Sequence, residues 1–193
     1  MKALRCVAIV GLAAAAAPVM AQGVVNPSYE IGPNAGSGWT RVHTGSSVLN
    51  GWTVDKGNVD HVGTQWLAAD GSKSIDLNGN RHGRIFQPVE TTPGAEYVVN
   101  FALSGNWGGA ANKKVRLTAA SDTQLFVFNS TGNTGSNMNW VNRSFTFTAT
   151  GETTKVFFAS QNYGSFGAAI DNVTISAVPA PASALALLGL AGM

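Results

Sequence analysis

Tyr97-Val98-Val99-Asn100-Phe101-Ala102-Leu103-Ser104 decides the fold class. Tyr97, Val99, Phe101 and Leu103 fall on one side of this stretch. Val98, Asn100, Ala102 and Ser104 fall on the other. That period of two marks a half-buried strand. The pattern recurs outward from it. Phe145 and Phe147 alternate with Ser144, Thr146 and Thr148, and Val115 and Leu117 alternate within residues 114–120. No helical period of useful length appears between Gln22 and Ala177. Asn50-Gly51, Asp70-Gly71, Asn78-Gly79, Pro93-Gly94 and Thr150-Gly151 place tight turns between the runs. The chain is therefore expected to be all-β, an antiparallel jelly-roll sandwich of roughly nine to eleven strands. Residues 31–42, 105–112 and 130–139 read as longer loops.

The two ends carry an address. Lys2 and Arg5 precede an apolar run, and Val19 and Ala21 are small residues placed for cleavage, so residues 1–21 read as a secretory signal peptide. Residues 22–176 form the sandwich domain, and 177–193 a Pro/Ala linker with an incomplete anchor segment. The apolar run from Ala184 is too short to span a bilayer, which takes about 20 residues. Contact with a membrane is thus expected only transiently, through this tail. The one cysteine, Cys6, lies inside the leader, so the exported chain needs a core rather than disulfides. Without Lys2 and Arg5, the twelve lysines and arginines fall to ten and match the ten acids. A balanced chain argues against nucleic acid as a partner. The short cluster Lys113-Lys114 with Arg116 reads as a solvated strand entry.

Several segments carry a resemblance. Asn26-Pro27-Ser28-Tyr29-Glu30 resembles the opening of galactose-binding-like jelly rolls. It is followed in order by Gly51-Trp52-Thr53-Val54, Gly57-Asn58-Val59-Asp60-His61-Val62-Gly63, Ser74-Ile75-Asp76-Leu77-Asn78-Gly79, Thr92-Pro93-Gly94-Ala95-Glu96-Tyr97 and Ala169-Ile170-Asp171-Asn172-Val173. The series is similar to the bacterial choice-of-anchor C proteins, relatives of the plant cell-wall proteins of domain-of-unknown-function family 642. That resemblance implies a secreted, non-catalytic domain with a carbohydrate-binding-module-like fold at the surface or in the matrix of a Gram-negative bacterium. Val178-Pro179-Ala180-Pro181 resembles the Pro-Glu-Pro sorting tail read by an exosortase, with Ala180 in place of the usual Glu and no basic cluster after it. The resemblance also implies that Glu30 and Asp171 share a structural calcium, since such domains bring their first and last strands together. Calcium suits these residues because it takes carboxylate and carbonyl oxygens.

An exposed Trp or Tyr offers a rigid platform for the apolar face of a sugar. Among Trp39, Trp52, Trp66, Trp107 and Trp140, the loop Gly105-Asn106-Trp107-Gly108-Gly109 makes Trp107 the first candidate, and Tyr163 is the second. Trp52 reads as core, and Trp66 and Trp140 as core or sheet-edge packing. Asp60, His61, Arg81, His82 and Arg84 are candidates for bonds to sugar hydroxyls. The three histidines have no metal-ligand or catalytic spacing, and no nucleophile elbow occurs. The expected partner is extracellular polysaccharide. The alternative is a structural or adhesion protein that binds other proteins and no glycan. A hydrolase is the weakest reading, because Asp70 and Asp76 are explained by their turn and strand contexts.

Overall fold

The computed structural model describes residues 23–179. Among the described residues there are eleven strands: β1 (Trp39–His43), β2 (Thr53–Lys56), β3 (Asn58–Val62), β4 (Ser74–Asp76), β5 (Arg84–Glu90), β6 (Glu96–Gly105), β7 (Asn112–Ala119), β8 (Asp122–Asn129), β9 (Val141–Thr148), β10 (Thr153–Ser160) and β11 (Ala168–Ala177). They form two sheets, six strands ordered β1-β3-β4-β11-β6-β9 and five ordered β2-β5-β10-β7-β8. Every described pairing is antiparallel. This is the expected jelly-roll sandwich. The expected loops at 105–112 and 130–139 fall between β6 and β7 and between β8 and β9. The third does not hold throughout, because β1 begins at Trp39 and pairs with β3.

The alternation in β6 sets the core. Tyr97, Val99, Phe101 and Leu103 are all buried between the sheets. Phe101 meets Phe126 of β8 and Phe158 of β10 edge-on, each at 5.3 Å between centroids. Edge-to-face packing of this kind joins the two sheets through one ring. Trp52 is 1% exposed and packs on Tyr29 and Phe158, as its place beside a strand predicts.

One inward position breaks the apolar pattern. In β7 the buried side chains are Lys113, Val115, Leu117 and Ala119. Lys113 is fully buried, while Lys114 and Arg116 face outward. The expectation of a solvated cluster fails for Lys113, whose phase within the strand turns it inward. Its ammonium donates to the carbonyls of Gly108 and Phe166. Burial holds its pKa below the ordinary lysine value, against the pull of the Asp76 charge.

The first and last parts of the domain meet at residues 69–73. Val173 N donates to Pro27 O where the β11–β6 register slips between Asp171 and Thr174, with Asn172 at φ 47°. This bulge turns Asp171 toward the segment, where its Oδ2 accepts from Ala69 N and Asp70 N. Glu30 accepts from Ser72 N, Ser72 Oγ and Lys73 N at the far end of the same segment.

Candidate functional site

Residues on the outer face of the six-stranded sheet share one cross-strand row. The register places Arg41 opposite Asp60, Asp60 opposite Asp76, and Asp76 opposite Ala169. Two loops rise beside this row, one carrying Asn106 and Trp107 and the other Ser165 and Phe166. Together with Trp39, Gln65 and Trp66 they enclose a pocket of about 280 Å³. Trp39 is 47% exposed and Trp107 41% exposed, whereas Trp66 is buried. Trp66 braces Trp107 edge-on at 5.7 Å. The Arg41 guanidinium lies over the Trp39 ring, 4.7 Å from its centroid.

The polar groups of this pocket are held in place. Arg41 forks onto Asp60, Nε to Oδ1 at 2.9 Å and Nη2 to Oδ2 at 3.2 Å. Burial nevertheless raises the Asp60 pKa, with the Arg41 contacts opposing it. Asp76 is buried and accepts from Asn78 N, Gly167 N and Asn106 Nδ2. Asn106 in turn accepts from Gly108 N. Thus Asp76 and Lys113 between them fasten both loops. Gly167 allows this approach, since a Cβ there would lie 2.4 Å from Asn78 Oδ1 and 2.6 Å from Asp76 Oδ1.

Burial pushes the Asp76 carboxyl up to about 7, opposed by its hydrogen-bond donors and reinforced by the Asp60 charge. The folded chain therefore keeps a proton that the unfolded chain, titrating near 3.8, has released. Stability must fall as pH rises through the window from about 4 to about 7. Asp76→Asn is expected to reduce that slope in urea unfolding between pH 5 and pH 8, leaving the part that Asp171 contributes, although the amide lowers stability by about 1–3 kcal/mol through a mismatched hydrogen bond. A slope as steep in the variant as in the parent would assign the titration elsewhere.

The remaining candidates separate. Tyr163, 92% exposed, and Arg84 line a different depression, on the outer face of the five-stranded sheet. His82 packs edge-on to Tyr163 at 6.0 Å between centroids. The segment from Gln161 to Gly167 is the ridge between the two depressions, with Tyr163 on one side and Phe166 on the other. Arg81 is exposed and lines neither. His61 faces the interior. It is fully buried, and its two ring nitrogens lie 3.0 Å from Pro33 O and 2.7 Å from Tyr29 O. Burial lowers its pKa, although the two carbonyls pull the other way. Its role is to fix the 29–33 segment. Trp140 is half-buried and donates to Leu67 O, which is packing rather than display. Trp39 is an exposed aromatic of the pocket that motif reading left unassigned.

A family model described as "Protein of unknown function (DUF642)" matches residues 22–176. The chain belongs to this family. A curated relative, Halomucin of Haloquadratum walsbyi, is 33% identical over 174 residues, covering 88% of this chain. The match spans only 2% of that relative's length. Among solved structures, a carbohydrate-binding module of family 61 in complex with β-1,4-galactotriose superposes with a TM-score of 0.51 at 16% identity. That match covers 81% of this chain and 99% of the module. The CBM22-1 xylan-binding domain from Paenibacillus barcinonensis Xyn10C gives a TM-score of 0.48 at 17% identity, covering 87% of this chain and 100% of that domain. At 16% identity the likeness to the family 61 module shows the fold alone, a carbohydrate-binding-module-like jelly roll.

Proposed function

We propose that this DUF642 protein is an exported, non-catalytic surface or matrix protein of the choice-of-anchor C type that binds extracellular polysaccharide through the tryptophan pocket. One observation carries the reading: Trp39 and Trp107 present exposed rings above polar groups already fixed by Arg41–Asp60 and Asn106–Asp76. Sugar recognition needs that combination of an apolar platform and preset hydrogen-bonding groups. Asp60 and Asp76 do not serve as a hydrolytic pair in this arrangement, because Arg41 holds one and three N–H donors hold the other. A structural or adhesion role with protein partners is the competing account. Binding to a panel of insoluble and soluble polysaccharides tests the two. Retention of the protein on a glycan, lost in Trp39→Ala/Trp107→Ala, supports the first, and retention on none favours the second.

Export rests on the leader pattern of residues 1–21, which lie outside the described residues, as do Ala180 and Pro181 of the sorting motif. Val178 and Pro179 lie just past β11, with Val178 N bonded to Glu96 O. An exosortase-type enzyme would act on a complete tail.

Calcium belongs to the same proposal. Asp171 and Glu30 hold opposite ends of residues 69–73, and Asp171 is pushed up to about 7 by burial, with the neighbouring Asp70 charge adding to it. The buried Tyr29 hydroxyl feels the Asp171 charge and has no hydrogen-bond partner. A buried acid without a cation beside an orphaned oxygen suits a hard cation, with Glu30, now paired with Lys73, as a further ligand and backbone carbonyls completing the shell. The acids also have a purely structural use, since Glu30 and Asp171 already accept N–H bonds and Asp70 accepts from the Ser28 hydroxyl. Thermal unfolding with calcium and with EDTA separates the two uses. Calcium is expected to raise Tm by several degrees, and Glu30→Gln or Asp171→Asn to remove the increment. A Tm indifferent to calcium would leave the carboxylates as loop anchors only.

A further inference from the structure

The depression on the five-stranded sheet differs in chemistry from the tryptophan pocket. Its volume is about 460 Å³, and Lys56, His82, Arg84, Arg116, Phe157 and Tyr163 are among its lining residues. The register explains the charge. Lys56 of β2 stands opposite Arg84 of β5, Arg84 opposite Ala159 of β10, and Ala159 opposite Arg116 of β7. Three cations thus share one cross-strand row, with a small residue between the two arginines as a trough. Like charges along such a row oppose folding. Arg84 is the only one of the three with an ion-pair partner among the described residues, Asp55 at 2.7 Å. Lys56 and Arg116 keep their charge free at the surface, and no acidic side chain among the described residues lines the groove. Outside its leader the chain is charge-balanced, so this concentration is local and not a consequence of general basicity.

The floor and rim supply what a chain of sugars needs besides charge. Phe157 lies half-buried on the floor, packed on Phe86 at 5.2 Å with the Arg84 guanidinium 4.8 Å from its ring centroid. Tyr163 projects at the rim from a loop that is firmly held: Asn78 Nδ2 donates to Asn162 O and Gly164 O. An exposed ring on a fixed mount contributes contact area at small entropic cost. From β2 to β7 the row crosses about 14 Å at the usual strand spacing, room for more than one ring of a polymer.

We propose that this groove is a second binding site, separate from the tryptophan pocket, for a carboxylate-bearing polysaccharide of the uronate class. Arg116 and Lys56 take the carboxylates, and Phe157 and Tyr163 take the sugar faces. The free Arg116 fork matches a carboxylate in shape as well as charge. Two sites on either side of the 161–167 ridge would let one protein join two glycan types.

The test uses alginate as the uronate polymer, carboxyl-reduced alginate as its neutral counterpart and dextran sulfate as a generic polyanion, each titrated against the purified protein. Arg116→Ala and Lys56→Ala are expected to weaken alginate binding about tenfold each, as loss of a charge-assisted contact does. Trp107→Ala and the cation-removing control Arg143→Ala on the other sheet should leave it unchanged. Carboxyl-reduced alginate should bind at least tenfold more weakly than alginate. Arg116→Gln, with unaltered Tm, guards against a folding defect. Equal binding of native and reduced alginate, or affinity unaffected by Arg116→Ala and Lys56→Ala, overturns the proposal. So does binding of dextran sulfate as tight as that of alginate, which would mean generic charge attraction. Loss of alginate binding in Trp107→Ala alone would also overturn it by moving the uronate to the tryptophan pocket. Failure of the tryptophan-pocket reading would show instead in the neutral-glycan panel.

Discussion

Lys113→Met is expected to destabilise the domain by about 2–4 kcal/mol and to loosen both walls of the tryptophan pocket. Methionine nearly preserves the side chain's volume, so the effect isolates the ammonium. Two opposing contributions decide the sign. Removing a buried charge recovers desolvation free energy, the same burial that depresses this lysine's pKa. Against it, the carbonyls of Gly108 and Phe166 lose their donor. Each buried acceptor left unsatisfied costs about 1–3 kcal/mol. Where Asp76 is ionised, it also loses the attraction of the Lys113 charge, which acts between the two groups. The losses outweigh the gain. The local consequence is larger than the global one, because the two carbonyls lie on the loops that carry Trp107 and Phe166. Urea unfolding measures the first effect, and amide exchange at residues 105–111 and 161–167 the second. Unchanged stability together with unchanged exchange would remove Lys113 from any part in shaping the site.

The sheets were legible because their side chains repeat every two residues over eight or more positions, as in β6, β7 and β9. β1 escaped notice because Trp39–His43 is short, lies at a sheet edge and has only Val42 fully buried. Missing that strand hid Trp39 as a platform. Trp107 was legible, since a tryptophan among glycines in a loop has few packing uses. Its neighbours were not, because Trp66 and Phe166 reach it from distant parts of the chain. Lys113 misled through composition, since a lysine beside Lys114 and Arg116 suggests a solvated face. The usable signal was phase, for it falls in step with Val115, Leu117 and Ala119. Asp60 and His61 show the same rule in β3. Adjacent residues point to opposite faces, so one lines the pocket and the other is sealed beneath Gly32. The division of Trp107 and Tyr163 between two depressions depends on which sheet each loop borders. That is a property of the strand order, which no single segment contains.

Trp39→Ala combined with Trp107→Ala is expected to abolish measurable binding of the glycan that the pocket takes, while the fold persists. Each ring is nearly half exposed, so its removal leaves little void in the core. Stability should change by less than about 1 kcal/mol for Trp39, whose one partner face is the Arg41 guanidinium. Trp107 gives up its edge contact with Trp66 and should cost about 0.5–1.5 kcal/mol. Binding should suffer more. A buried aromatic anchor at the centre of a contact is worth about 2 kcal/mol or more, roughly thirtyfold in Kd per ring. Losing both rings should therefore approach a thousandfold, provided the two platforms act independently. Isothermal titration with the best polysaccharide from the panel reads the loss, and each single variant reads its share. If the double variant binds as the parent does, the glycan lies elsewhere on the sandwich, and the fixed Arg41–Asp60 and Asn106–Asp76 pairs are then only supports for the sheet surface. If Trp39→Ala alone has no effect while Trp107→Ala loses everything, the ligand is a single terminal sugar at the loop end of the pocket, since a chain laid along the row from Arg41 to Asp76 must cross both rings.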